Sequence, residues 1–287
     1  MKQEETNNIL KIFLKLIIPK LLFNLISTLR DNFILYIKHP NSYILKTNNL
    51  INNGRVNINN IFSDMNLNDY WDRKSKIIFE FKVPDLTGGV NQGDRRAIFY
   101  LIKAFKPINV LEIGTFIGAS TIHIASALSD IKKSHLISVD IIDVNSDRHN
   151  FWLKHNSNLS PYKMIKVLGF DKFVDFITQS SIKYFKNVDK KFDFIFLDGD
   201  HSASMVYHEI HLALNALSKD GIILLHDYFP NNKPIWSNGK VIPGPYLAVK
   251  RILKENADIM VIPLAELPWE TKDKSKKTSL ALLARKY

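Results

Sequence analysis

The sequence of 287 residues contains no cysteine. Disulfide bonds, thiolate zinc sites and a cysteine nucleophile are therefore excluded. The composition gives no indication of an oxidising compartment, and we expect the protein in the cytoplasm, either free or associated with a membrane.

A hydrophobic run long enough to span a membrane is also missing. The most hydrophobic region covers residues 7–36, but its longest uncharged stretch, residues 21–29, is shorter than the roughly 20 residues that a spanning helix needs. Lysines interrupt the part before it, which argues against a signal peptide. The pattern predicts an amphipathic helix with a broad apolar face, kinked or restarted at Pro19. Either this helix packs on the rest of the protein or on a second subunit of a homo-oligomer, or it lies on an anionic membrane.

Acidic residues are fewer than basic ones. The chain has 39 lysines and arginines against 28 aspartates and glutamates, a formal net charge of +11. Such a charge is typical of proteins that bind nucleic acids or anionic lipids. The basic residues are spread along the chain, however, without a basic and aromatic cluster of the RNA-binding kind. We interpret the charge as a lysine-rich solvated surface and expect no nucleic-acid partner; a nucleic-acid-binding α/β protein is the alternative.

Glycine is scarce, with 11 residues in all, and two of them stand in the segment VLEIGTFIGAST, residues 110–121. An apolar run leads to Gly114, Gly118 follows, and a helix-prone segment begins at Ala119. This order predicts a strand, a tight turn and a helix, an arrangement in which backbone amides and a helix N-terminus bind a small ligand. Gly114 allows a positive φ angle, and we expect Gly118 to leave room for the ligand. Glu112 would repel a pyrophosphate but suits a cationic ligand or one rich in hydroxyl groups.

The glycine spacing differs from the GxGxxG of dinucleotide-binding proteins and from the GxxxxGK[ST] of phosphate-binding loops. It resembles motif I of class I S-adenosylmethionine (SAM) methyltransferases, in the E-x-G-x-x-x-G form of small-molecule O-methyltransferases such as catechol O-methyltransferase. The resemblance implies that the turn binds SAM. The cofactor-binding residues implied in it are Glu112, Gly114, Thr115, Gly118 and Ser120.

Apolar and helical segments alternate after residue 90. Strands are predicted near residues 108–113, 135–141, 174–178, 192–198, 221–227, 258–264 and 279–286. Helices separate the first five, which predicts a parallel sheet covered on both faces; a loop joins the last two, which predicts a hairpin with one antiparallel strand. The order resembles the seven-stranded, mostly parallel, Rossmann-like sheet of class I methyltransferases. We predict an α/β methyltransferase domain at residues 91–287 and an N-terminal helical extension or lid at residues 1–90, with residues 41–70 irregular.

Polar residues stand at the ends of several predicted strands, where ligands bind in such sheets. Asp140 ends the second strand, and a carboxylate there can accept two hydrogen bonds from a ribose diol. Gln179 and Ser180 follow the third strand, where the methyltransferase family contacts adenine. Because NAD-binding folds also place an acidic residue at this position, Asp140 alone does not distinguish NAD from SAM. The glycine spacing and Glu112 favour SAM.

The segment FIFLDGDHSAS, residues 194–204, places Asp198, Asp200 and His201 at the end of the fourth strand. Carboxylate oxygens are suited to binding a metal ion. An imidazole beside them can take a proton from a substrate hydroxyl, because its ordinary pKa lies near neutral pH. The segment therefore predicts a catalytic site.

The pattern D-G-D-H-S, followed by LLHDY at residues 224–228, resembles the macrocin-type sugar O-methyltransferases and the cephalosporin-hydroxylase-like group. The resemblance implies that Asp198 and Asp227 bind a divalent cation such as Mg²⁺ and that His201 is the general base. Asp198 is also predicted to take part in catalysis and in binding the cofactor. His226 departs from the pattern, because those relatives have Glu-Asp here and imidazole is a poorer Mg²⁺ ligand than carboxylate. We include His226 among the predicted ligands, for a softer metal; a second base or a metal-free enzyme are alternatives.

These residues together predict a SAM-dependent O-methyltransferase that acts on a hydroxyl group of a small polyhydroxylated acceptor, a sugar or a glycosylated metabolite. Methylation of nitrogen, a lipid-linked acceptor and a non-catalytic member of the fold are the alternatives. We expect residues 228–246, with Trp236, to form a wall or lid of the acceptor pocket. Tyr70 and Trp71 of the extension are expected to close its other side.

Overall fold

A seven-stranded sheet forms the centre of the computed structural model, which describes residues 20–84, 89–272 and 274–286. The strands are β1 (Asn109–Ile113), β2 (His135–Asp140), β3 (Val174–Thr178), β4 (Phe192–Leu197), β5 (Leu217–Leu225), β6 (Ile259–Pro263) and β7 (Ala281–Arg285). All seven predicted strands are therefore found. Only β5 begins clearly earlier than predicted, at Leu217, directly after the preceding helix.

The strand order is β3-β2-β1-β4-β5-β7-β6. Strands β1 to β5 are parallel, whereas β7 is antiparallel to both of its neighbours, β5 and β6. The predicted hairpin at one edge is thus confirmed. Because the chain goes from β1 outward to β2 and β3 and then returns to β4 on the other side, the carboxyl ends of β1 and β4 border a crevice. Ligands bind at such a switch point in open α/β sheets.

Helices cover both faces of the sheet. In the described part of the chain they are α1 (Lys20–Lys38), α2 (Ile58–Phe62), α3 (Met65–Phe79), α4 (Gln92–Phe105), α5 (Ala119–Leu128), α6 (Phe151–Lys154), α7 (Pro161–Val167), α8 (Ser181–Asn187), α9 (Ala203–Ala216) and α10 (Pro243–Glu255). Helices α4 and α5 pack on one face, and α1, α9 and α10 pack on the other.

The apolar runs of the strands fill two cores, one under each layer of helices. In β4, Phe194 and Phe196 join the core beneath α4 and α5, while Ile195 and Leu197 join the core beneath α9 and α10. Successive side chains of a strand point to opposite faces, so a strand that is covered on both faces must be apolar at every position. This is why the strands were recognisable as short continuous apolar runs.

The N-terminal extension contains more regular structure than predicted. Residues 41–70 were expected to be irregular, but they include α2 and the start of α3. Asp64 caps α3, because its side chain accepts hydrogen bonds from the backbone N–H groups of Asn66 and Leu67. Leu50 and Trp71 belong to the two cores of the sheet, so the extension is packed into the same folded unit. The predicted boundary at residue 90 falls just before α4.

Residues 1–19 lie outside the described residues, and with them the predicted kink at Pro19 and the first part of the amphipathic segment. The second part is α1, which is helical as predicted. Within residues 20–84, 89–272 and 274–286, none of the helices has the length and apolar character needed to cross a membrane.

Candidate active site

The glycine turn after β1 touches the end of β4. Gly114 has a φ of +97°, and a Cβ atom built there would lie 2.2 Å from the carbonyl oxygen of Asp198. Only glycine allows both this conformation and this approach. Gly118 also has a positive φ, of +78°, but its Cβ would meet Pro161 of α7 at 2.9 Å. The expectation that Gly118 leaves room for a ligand is corrected, since it leaves room for α7.

Glu112 lies behind the turn and holds it together. Its carboxylate is fully buried and accepts hydrogen bonds from the hydroxyl groups of Ser120, Thr121 and Ser138, the last two at 2.6 Å. Burial raises the pKa of Glu112 to about 7, against the opposing effect of these hydroxyl groups. Glu112 does not line the cavity described next, so the prediction that it faces a ligand is corrected. It ties β1 to the first turn of α5 and to β2.

A cavity of about 560 Å³ opens at the carboxyl ends of β1, β2 and β4. Its size lies within the range of sites for small ligands and cofactors. Most of the predicted cofactor-binding residues line it: Gly114, Thr115, Ser120, Asp140, Gln179, Ser180 and Asp198. Glu112 and Gly118 are the two that do not.

Asp140 joins two backbone segments at this cavity. Its Oδ2 atom accepts a hydrogen bond of 2.9 Å from the backbone N–H of Phe116, and its Oδ1 atom accepts one of 2.9 Å from that of Ile142. Each carboxylate oxygen has a further lone pair, so the group can still accept hydrogen bonds from a diol. Ser180 is the N-cap of α8, where its side chain accepts from the backbone N–H of Lys183, and Gln179 precedes it on the cavity wall.

Three further residues of the cavity wall were missed in the sequence. Phe116 and His155 lie side by side at the cavity, with ring centroids 4.6 Å apart. Glu209 of α9 is buried, and burial raises its pKa to about 7. His155 follows a short helix without a recognisable motif, and Glu209 has the polar neighbours of an ordinary helix, so neither gave a sequence signal.

A buried charge cluster joins the ends of β4 and β5. Nδ1 of His226 donates a hydrogen bond of 2.8 Å to Oδ1 of Asp198 and lies 3.7 Å from Oδ1 of Asp227. On the other side of the ring, Nε2 lies 3.5 Å from Oδ2 of Asp94, which is fully buried in α4. Burial alone would lower the pKa of His226, but the carboxylates around it hold that pKa well above its ordinary value. His226 is therefore an imidazolium that links three carboxylates.

His201 lies at the mouth of the cavity and is more accessible. Its side chain is 38% exposed, and its Nε2 atom lies 3.7 Å from Oδ2 of Asp227. The start of α10 fixes the backbone here, because a Cβ atom on Gly244 would lie only 1.9 Å from the carbonyl oxygen of His201. The sequence prediction that His201, Asp198 and Asp227 come together is thus consistent with the geometry.

The segment after β5 contributes to this region differently from the prediction. Trp236 is buried against Phe229 and donates a hydrogen bond of 3.2 Å from Nε1 to the carbonyl oxygen of Lys277, so it anchors the segment and does not form a pocket wall. Residues 241–243 of the same segment do line a groove beside His201. Tyr70 and Trp71 line neither the cavity nor this groove, because Trp71 is buried against Phe99.

Comparison with known protein families agrees with this arrangement. Residues 111–228 match the family model described as a methyltransferase domain. These residues run from β1 to just after β5, so this part of the sheet resembles a methyltransferase domain. None of the curated proteins matches it in sequence.

Solved methyltransferase structures share its fold at low sequence identity. The O-methyltransferase TomG from Streptomyces achromogenes, which is involved in tomaymycin synthesis and was solved with SAM, gives a TM-score of 0.52 at 17% identity, over 76% of this chain and 90% of that chain. The methyltransferase PaMTH1 from Podospora anserina, solved with S-adenosylhomocysteine, gives a TM-score of 0.51 at 19% identity, over 77% of this chain and 88% of that chain. The O-methyltransferase from Bacillus cereus, also solved with S-adenosylhomocysteine, gives a TM-score of 0.50 at 16% identity, over 78% of this chain and 92% of that chain.

A divalent cation, implied by the resemblance to metal-dependent methyltransferases, fits this site poorly. Donor atoms of Asp198, His201 and Asp227 lie within 4.8 Å of one another. One of the three is an imidazole, whereas Mg²⁺ prefers oxygen ligands. In addition, the imidazolium of His226 already donates to Asp198 and places a positive charge beside Asp227. The prediction of His226 as a metal ligand is corrected, because Nδ1 of His226 bonds to Asp198 and Nε2 faces Asp94, so His226 is not part of this donor group. The residues present do not fit Mg²⁺.

Replacing Glu112 by glutamine is expected to change how the stability of the domain depends on pH. The folded protein keeps the proton of Glu112 up to about pH 7, whereas the unfolded chain loses it near the ordinary value, so the wild type loses stability as the pH rises between these values. The variant lacks this loss, which amounts to about 3 kcal/mol. Urea unfolding from about pH 4 to about pH 8 measures it, with the exposed Glu266→Gln as control. Parallel pH curves for wild type and Glu112→Gln would contradict the assignment.

Replacing His226 by glutamine is expected to lower the free energy of unfolding by about 3 kcal/mol, because three carboxylates lose the buried cation that they share. The effect should be largest below the ordinary histidine pKa and should disappear as the pH rises through the raised pKa of His226. Urea unfolding at about pH 6 measures it against the exposed His149→Gln. Equal stability of the two variants would show that His226 is not the shared cation.

Proposed function

We propose that the protein transfers the methyl group of SAM to a hydroxyl oxygen of a small acceptor, with His201 as the general base. The observation that carries the proposal is the position of His201. Together with Asp200, it lines both the cavity at the carboxyl ends of β1, β2 and β4 and a second groove of about 400 Å³. A base at the junction of two sites is placed between a donor and an acceptor.

The cavity is suited to the nucleoside part of SAM. Asp140 offers carboxylate oxygens to the ribose hydroxyl groups, and the rings of Phe116 and His155 offer apolar surface for the adenine ring. Asp198 and Glu209 add carboxyl groups to the wall, which suits a ligand that carries a sulfonium and an amino group. SAM or S-adenosylhomocysteine in the solved relatives supports the same donor.

The groove is suited to an acceptor with hydroxyl groups at one end. Ser27, Arg30 and Asp31 of α1 and Ser202 after His201 bring polar side chains to it. Arg30 and Asp31 are paired, with guanidinium nitrogens 3.0 and 2.8 Å from Oδ1 of Asp31. A sugar or glycosylated compound fits this combination, because its hydroxyl groups can both donate to Asp31 and accept from Arg30.

The reaction needs one proton transfer and one displacement. The acceptor oxygen forms a bond to the methyl carbon while the bond from that carbon to sulfur breaks, and the hydroxyl proton moves to the imidazole of His201. The products are the methyl ether and S-adenosylhomocysteine. Asp227, 3.7 Å from Nε2 of His201, stabilises the imidazolium that forms. Positioning the two reactants in line supplies much of the rate enhancement, and the base adds a factor of about 100 or more.

Replacing His201 by glutamine should lower kcat for methyl transfer about 100-fold or more, because the acceptor hydroxyl loses its base. SAM affinity should stay unchanged, since the cavity keeps the glycine turn and Asp140. Transfer of labelled methyl groups from SAM to a panel of sugars and glycosides measures the first, and calorimetry with SAM measures the second. His149→Gln, on an exposed histidine, is the matched control. Full activity in His201→Gln would remove the proposed mechanism, and absent SAM binding in the wild type would remove the proposed donor.

Methyl transfer should not depend on Mg²⁺, because His226 supplies the positive charge next to Asp198 and Asp227. Protein dialysed against EDTA is expected to show the same rate with and without added Mg²⁺. The measurement uses the same labelled-methyl assay together with metal analysis of the purified protein. A rate that falls on dialysis and returns with Mg²⁺ would contradict this conclusion.

A further inference from the structure

Helix α1 turns polar residues toward the rest of the protein. Nδ2 of Asn24 donates a hydrogen bond of 3.0 Å to the carbonyl oxygen of Gly239, and Oγ1 of Thr28 accepts one of 2.8 Å from Asn232. Asp31, one turn further on, is buried. The helix is therefore fastened to the segment after β5 through its polar side.

The opposite side of α1 is an exposed apolar stripe. Leu22, Leu25, Leu29 and Phe33 follow one another at intervals of three and four residues, which places them on one face of the helix. In the part of the chain that the structure describes, these side chains are 45, 54, 61 and 66% exposed. Large apolar side chains in a continuous exposed row mark a surface that meets an apolar environment.

The apolar stripe borders the groove that leads to His201. Phe23 and Ile26 lie next to the stripe on the helix, are themselves exposed, and line the groove together with residues 241–243. The groove thus has apolar walls toward the stripe and polar groups toward His201. A molecule that fits it has a hydroxylated head and a hydrocarbon tail.

We propose that α1 lies on an anionic lipid surface and that the groove receives the hydroxylated head group of a lipid as the methyl acceptor. The acceptor part of this inference rests on the proposed function. The apolar stripe enters the boundary between head groups and acyl chains, as amphipathic helices do. The groove then opens toward the surface from which a lipid head group would enter.

Charge favours a lipid surface over a second copy of the chain as the cover of the stripe. The chain carries a net charge of +11, and residues 9–18, directly before α1, are apolar apart from Lys11 and Lys15. Two copies repel each other, whereas anionic lipids attract basic residues by about 1 kcal/mol each. A second copy on the stripe would also cover the side of α1 that borders the groove.

Sedimentation with vesicles of phosphatidylcholine containing about a third of phosphatidylglycerol tests the surface contact. Wild-type protein should bind, and bind more weakly to phosphatidylcholine alone. The double variant Leu25→Ser/Leu29→Ser should bind at least about tenfold more weakly, because two leucine side chains no longer enter the bilayer. Ile77→Ser/Val167→Ser is the matched control, since these side chains are 55 and 69% exposed elsewhere on the protein. SAM affinity should be the same in all three proteins.

A photoreactive phospholipid in the same vesicles tests the orientation. The label should attach to peptides that contain residues 22–33 and residues 241–243. Three results would overturn the proposal: no binding of the wild type to anionic vesicles, equal binding of the stripe and control variants, or label confined to other parts of the chain. A dimer in light scattering that the stripe variant abolishes, without vesicle binding, would assign the stripe to a second copy. These measurements need no methyl transfer, so their failure is distinct from failure of the proposed function.

Discussion

The imidazolium of His226 and its three carboxylates connect the elements on which the site depends. Asp94 belongs to α4, Asp198 follows β4, and Asp227 follows His226 at the end of β5. Asp94 is buried and the other two carboxylates are largely shielded from water, so placing the three together would be very unfavourable without a cation between them. One protonated histidine therefore sets the relative positions of two strand ends and a helix. Asp227, held in this way, is the residue that faces His201.

A second buried carboxyl group organises the other half of the site. Glu112 accepts from hydroxyl groups of α5 and β2, and its oxygens need no cation because the raised pKa keeps the group protonated through most of the acid range. The turn between Gly114 and Gly118 thus has Glu112 and its hydroxyl partners on one side and contacts the end of β4 on the other. The two walls of the crevice are therefore supported by carboxyl groups that avoid an unpaired buried charge in different ways. Glu112 is neutral, whereas the three aspartates share the positive charge of His226.

Periodicity in the sequence predicts most of the fold, because strands that are covered on both faces leave a clear apolar run. Residue type also predicts which positions stand at the strand ends, as Asp140, Asp198 and His201 show. The sequence pattern does not show in which direction a side chain points or which element packs against a position. Glu112 and Gly118 occupy motif positions, yet one points into the core and the other makes room for α7.

Residues that come from distant parts of the chain were also beyond sequence reasoning. Asp94 was not among the predicted site residues, and its pairing with His226 depends on how α4 packs against the sheet. In the same way, the pattern of α1 predicts a broad apolar face, but only the packing shows that this face is turned outward and that Phe23 and Ile26 reach the groove. Such contacts follow from tertiary structure and have no local signature.

The contact between Gly244 and the carbonyl oxygen of His201 has a mechanical consequence. It leaves no gap between the start of α10 and the loop that carries His201, the proposed base, so a displacement of residues 241–243 would also displace His201. An oversized molecule that forces the groove wider would then drag the imidazole out of line. Such an enzyme would discriminate against oversized acceptors through a lower kcat, with little change in their binding affinity.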